Sequence, residues 1–172
     1  MILTGSEIKK QVENGSIIIN PFSDLQVNPN SYDFRLGEYL MVYKSETLDP
    51  KIRPETELIQ IPESGFKLYP DKIYLAHTKE IMGSTNFVPI IKGKSSIARL
   101  GIFIHITADL IDIGSINQWT LQLHVVEPAV IYPNMLIGQV TFWVVKGDIV
   151  LYSGKYQGSN GPVESKIFED FK

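Results

Sequence analysis

The sequence predicts a mainly β protein with one short helix at its N-terminus. Short apolar or alternating runs fill the chain, Gly, Pro, Asn and Asp separate them, and only the first residues carry a helical pattern. Runs at that spacing belong to an all-β sandwich or barrel.

The helix comes first. Thr4-Gly-Ser-Glu7 has capping-box spacing and opens a helix through Glu13, with Gly15 placed to stop it. Strands are then expected at Ile17-Ile19, Tyr32-Leu36, Tyr39-Tyr43, Leu58-Ile61, Phe66-Tyr69 and Ile73-His77. Others are expected at Phe87-Ile91, Ile102-Ile106, Trp119-Val126, Val130-Tyr132 and Ile137-Val145. The polar, Gly-rich stretch "SGKYQGSNGP", residues 153–162, has little to place in a core and reads as part of a mobile C-terminal arm, 153–172.

Composition narrows the function. A chain of 172 residues that is 44% hydrophobic can bury roughly 70% of its unfolded surface as one domain, so 1–172 is read as a single unit. With 16 Lys and Arg against 19 Asp and Glu it lacks the basic excess that nucleic-acid binding needs, so any phosphate is recognised locally. The absence of Cys excludes disulfides, thiolate zinc sites and the zinc-dependent base deaminases. No run reaches the 18 or so apolar residues of a membrane span and no signal-peptide pattern is present, so a soluble, cytoplasmic protein is expected.

Two stretches carry candidate chemistry. Gly93-Lys94-Ser95-Ser96 ends like a P-loop, but that motif requires a further Gly where Val88 stands. The turn can still offer amides, two hydroxyls and a cation to phosphate, with Arg99 as a second donor; the plain alternative is a polar turn. Asp112 lies between Ile111 and Ile113, where an ionised carboxylate is costly unless paired or working, and the alternative is an Asp heading the turn at Gly114. His77, His105 and His124 fall in strand-like runs at spacings that match no metal-ligand set.

The stretch "GKSSIARLGIFIHITADLIDIG", Gln122 beyond it, and "PNMLIGQVTF" together resemble the core of the dCTP deaminase and dUTPase superfamily. "MILTGSEIKKQVENGSIIINPF" with "NSYDFRLG" is similar to the N-terminal signature of its deaminase branch, and "GKYQGSNGPVESKI" to its arm. The resemblance implies a distorted, dUTPase-like β-barrel assembled as a homotrimer, with nucleotide sites between subunits. It places Lys94, Ser95, Ser96 and Arg99 at the triphosphate, Asp112 at the sugar 3′-hydroxyl and the attacking water, and Thr120, Leu121 and Gln122 at the base. Tyr152, Lys155, Tyr156 and Ser159 come from the arm, and Mg²⁺ is expected through the triphosphate, with no direct protein ligand.

Three departures stand out. Lys94 occupies a position that the deaminase branch fills with Arg, Ser159 one that is commonly Gln, and Gln122 that of the catalytic Glu. An amide has no proton to cycle between water and a leaving amine, work typically contributing about 10² to 10⁴ in rate. It can, however, donate to O4 and accept from N3–H of uracil.

The leading expectation is therefore a dUTP diphosphatase, with Asp112 and Arg99 as its catalytic residues. The first rival is a dCTP deaminase in which another carboxylate, Asp109 or Glu127, replaces the Glu; strand alternation turns Glu127 to the opposite face from Gln122. The second rival is a nucleotide-binding regulator without catalysis.

Overall fold

The computed structural model describes residues 1–172. Helix α1 (Gly5–Glu13) begins where its capping residue predicts: the Thr4 hydroxyl accepts from the Glu7 amide at 3.4 Å. The reciprocal half of the box is not made, because the Glu7 carboxylate accepts from Gln11 at 2.6 Å instead.

Twelve strands make up the body of the chain. In its first half these are β1 (Ile17–Asn20), β2 (Tyr32–Arg35), β3 (Tyr39–Tyr43), β4 (Thr56–Gln60), β5 (Phe66–Leu68), β6 (Tyr74–His77) and β7 (Ile81–Ser84). In the second half are β8 (Phe87–Gly93), β9 (Ile102–Phe103), β10 (Thr120–Val125), β11 (Ala129–Ile131) and β12 (Leu136–Val144). A single helical turn, α2 (Ser95–Ala98), separates β8 from β9.

All pairings are antiparallel, in sheets ordered β4-β3-β6-β10-β9, β2-β12-β8, β1-β7 and β11-β5. The mainly β class with one short N-terminal helix is thus as the sequence predicts, although the ladder does not close into one continuous barrel. The sheets enclose a core cluster of 25 buried apolar residues, which α1 joins through Ile8. No helix is long and apolar enough to cross a membrane.

Two elements differ from expectation. Strand β7, "IMGS", has no counterpart among the expected strands, because Gly and Ser are poor strand formers; its ladder with β1 fixes it. The run Ile102-Ile106 keeps only two residues in β9, yet Ile104 is buried and its carbonyl accepts from the Gln122 amide at 3.0 Å.

Strand β10 links the core to the polar face of the largest sheet. It lies between β6 and β9, and its period-two alternation places Leu121, Leu123 and Val125 wholly in the core. Thr120, Gln122 and His124 face the other way and are half-buried. Replacing Leu121 with Ala is expected to lower the unfolding free energy by about 2–5 kcal/mol, read from urea denaturation at constant m-value.

Candidate active site

Asp112 precedes a tight turn. Its carbonyl accepts from the Ser115 amide at 3.1 Å, and Gly114 adopts φ 91°. A Cβ at Gly114 would stand 2.9 Å from the Tyr152 amide nitrogen, so glycine lets the start of the arm approach; the Tyr152 amide donates to the Ile113 carbonyl at 2.7 Å. The Asp112 side chain is exposed, so the apolar-context reasoning does not apply to it, and its place in the site rests on geometry.

The arm is pinned to the residues that lead into β10. The Asn117 Oδ1 accepts from the Gly158 and Ser159 amides at 2.5 and 3.1 Å, and Gln118 Oε1 from the Gly161 amide at 2.8 Å. The Thr120 hydroxyl accepts from the Val163 amide at 3.2 Å, and the Tyr43 hydroxyl, across the sheet on β3, from the Ser165 amide at 3.2 Å. Successive backbone donors thus find partners on one sheet face, and the polar stretch becomes a cover rather than a free tail.

Beneath that cover is a cavity of about 370 Å³, within the range of small-molecule sites. Of the residues that the resemblance singles out, it brings together Asp112, Thr120, Gln122, Tyr152, Tyr156 and Ser159. Gln122 donates through Nε2 to the Thr120 carbonyl at 3.0 Å, which leaves Oε1 as its free acceptor. The wall also includes Tyr43 and Glu164, which sequence reasoning did not single out. Glu164 is an isolated acid in the arm, and nothing in its sequence spacing ties it to Gln122.

Other expected residues stand elsewhere. Lys94, Ser95, Ser96 and Arg99 do not line this cavity. Lys94 is ion-paired to the buried Asp33, Ser95 and Ser96 are exposed, and the Arg99 guanidinium donates to the Ser95 carbonyl at 2.9 Å. The assignment of Leu121 to the base pocket is corrected: alternation turns its side chain into the core, and it does not line the cavity. Lys155 likewise points away, its Nζ 2.7 Å from both Asp170 carboxylate oxygens.

Neither substitute carboxylate reaches the cavity. Asp109 is outside its wall, paired with Lys92, whose hydrogen bond holds the Asp109 carboxyl below the usual range. Glu127 is exposed in the turn after β10. Burial raises the pKa of the Glu164 carboxyl, but its own backbone amide and Arg53 outweigh burial and hold it below the usual range. The Glu164–Arg53 contact therefore stabilises the docked arm fully above the ordinary carboxyl value of 4.5 and is lost as pH falls through the lower folded value. Burial raises the Tyr43 phenol, more than offsetting its bond to the Ser165 amide. Burial also lowers His77, whose Nε2 has no partner.

No three His, Asp or Glu side chains converge as a metal cage.

Residues 2–145 match the dCTP deaminase-like family, and the chain belongs to it. Several relatives that the chain matches along its whole length are named dCTP deaminase, dUMP-forming. That from Clostridium botulinum is 47% identical, over 100% of this chain and 99% of its own. The relative from Hathewaya histolytica is 46% identical over 100% of both chains, and that from Leptospira biflexa 42% over 100% and 99%. The fold is similar to the crystal structure of 2′-deoxycytidine 5′-triphosphate deaminase from Agrobacterium tumefaciens, with a TM-score of 0.65 at 20% identity. That alignment covers 84% of this chain and 48% of the other.

These relatives correct the expectation of a dUTP diphosphatase. They are named for removing the amine of dCTP and forming dUMP, so Gln122 alone is too narrow a basis for discarding base chemistry. The sequence points only to acids near Gln122 along the chain, whereas the fold brings one to the pocket from the arm.

Replacing Asn117 with Ala removes the acceptor for two arm amides. Amide exchange at Gly158 and Ser159 is expected to accelerate about tenfold to a hundredfold, with little change at β10, as read by hydrogen exchange and mass spectrometry.

Proposed function

We propose that this chain is a dUMP-forming dCTP deaminase, which converts dCTP and two waters to dUMP, ammonia and pyrophosphate. The observation that carries the reading is the covered cavity, in which Asp112 and the outward edge of β10 meet under the arm. Full-length relatives named for this activity support it.

The residues can be given roles by their chemistry. The free Oε1 of Gln122 suits the 4-amino group of cytosine, and rotation of the amide would present Nε2 to the O4 of uracil. One side chain therefore accommodates the base before and after deamination. Asp112 holds the sugar 3′-hydroxyl and orients the water that attacks the α-phosphorus; the bond to the β-phosphate oxygen then breaks and pyrophosphate leaves. Lys94, Ser95, Ser96 and Arg99 bind the phosphates and offset the developing charge. Tyr152, Tyr156 and Ser159 close the site from the arm. Mg²⁺, if carried in on the triphosphate, would supply further charge neutralisation beside Lys94 and Arg99.

The phosphate loop and the covered cavity do not meet within one protomer. This supports a homotrimer in which the loop of one copy completes the pocket of the next, acting on free nucleotides in the cytoplasm. Light scattering is expected to give a mass three times that of the 19.4 kDa chain.

Incubating the purified protein with dCTP and Mg²⁺ is expected to release ammonia and dUMP together, resolved by anion exchange and an ammonia assay. The Asp112→Asn variant is expected to lose dUMP formation by about a hundredfold or more. Tight dCTP binding by the parent protein without either product would overturn the enzymatic reading.

A further inference from the structure

Deamination at C4 of cytosine requires a group that takes a proton from water and returns one to the departing amine. Gln122 faces the base but cannot do this. Only two carboxylates line the covered cavity, Asp112 and Glu164, and the proposed reaction already assigns the first to the sugar and α-phosphate. Glu164 remains.

Its placement is set by the two residues beside it. The Val163 amide donates to Thr120 on β10, and the Ser165 amide to Tyr43 on β3. Both strands pair with β6, and Leu75 of β6 is the register partner of Gln122 on one side and of Met41 on the other. The segment therefore crosses above β6, on the face where Leu75 stands beside Gln122 in the cavity wall. Glu164 is carried on that crossing, with its side chain only 14% exposed.

Its charge partner leaves one oxygen free. The Arg53 Nε and Nη2 both donate to Oε1, at 3.2 and 2.9 Å, and no other residue donates to Oε2. Its own backbone amide and Arg53 hold the carboxyl in the ionised form that a base requires, while no neighbouring side chain occupies Oε2.

We propose that Glu164 is the proton-transfer residue of the deamination step, supplied by the arm in place of a carboxylate on β10. The inference rests on the deaminase reading. Water oxygen bonds to C4 as one of its protons passes to Oε2 and on to N3, giving a tetrahedral carbon that bears a hydroxyl and the amine. The hydroxyl proton then passes through Oε2 to the amine, the C4–N4 bond breaks, ammonia leaves, and the C4 carbonyl and N3–H of uracil remain. Docking of the arm thereby assembles the reactive site as well as covering it, so that base chemistry proceeds only with the nucleotide enclosed.

The decisive comparison is ammonia release from dCTP by the full-length parent protein and its Glu164→Gln variant, alongside dCTP affinity by calorimetry. The expected result is a fall in kcat of about 10²- to 10⁴-fold with Kd unchanged within about threefold. Glu164→Asp should recover part of the rate, and Gln122→Glu added to Glu164→Gln should recover more by returning a carboxylate to the same space. Glu164 is faced by Arg53, Lys166, Tyr43 and Tyr156, with Asp112 across the cavity. Arg53→Ala should therefore move the acidic limb of the kcat profile to higher pH, an effect that a purely structural role for Glu164 would not produce. A Glu164→Gln enzyme within tenfold of the parent rate overturns the proposal, as does a loss of rate matched by an equal loss of dCTP affinity. A parent protein that binds dCTP and releases no ammonia defeats the deaminase reading itself, and this inference with it.

Discussion

Strand β10 serves two environments at once, and the rest of the site depends on that division. Leu121, Leu123 and Val125 tie it into the core from a position between β6 and β9 in the largest sheet, which leaves Thr120 and Gln122 on a face that cannot slide. A shift of register by one residue would exchange the two sets, bury the polar side chains and expose the leucines, so the hydrophobic face fixes the face that lines the cavity. The same rigidity passes to the arm, because Asn117, Gln118 and Thr120 hold four of its amides from a stretch continuous with the strand.

The division explains which parts of the fold were legible in the sequence. Long alternating runs such as Trp119-Val126 announce themselves because burial on one face imposes period two. Strand β7 has no such pattern and exists because β1 offers it a ladder, information that no window of sequence contains. The N-terminal helix could be located from Thr4, although the partner chosen by Glu7 could not, since Gln11 competes for the same carboxylate.

The site was legible to a different degree. Residues carried by short local motifs, Asp112 before its glycine and Gln122 on its strand, line one cavity wall. The Gly93-Lys94-Ser95-Ser96 turn was equally visible as a motif, but its residues stand outside that cavity, which no local spacing foretells. Glu164 lay beyond reach for a third reason. It comes to the pocket from more than forty positions downstream of Gln122, through amide contacts made by the residues on either side of it. An acid held by its neighbours' backbone leaves no signature in side-chain spacing.

The attachment of the arm has a thermal consequence. Residues 153–172 are held mainly through amides bonded to polar side chains, and Pro162 is their only buried residue. Lifting such a segment uncovers little apolar surface, so the heat-capacity change of opening is small beside that of unfolding the core. The population of open sites should then obey a nearly linear van 't Hoff dependence, while stability of the β framework curves with temperature. Access to the pocket and persistence of the fold would thus respond to warming by separate laws.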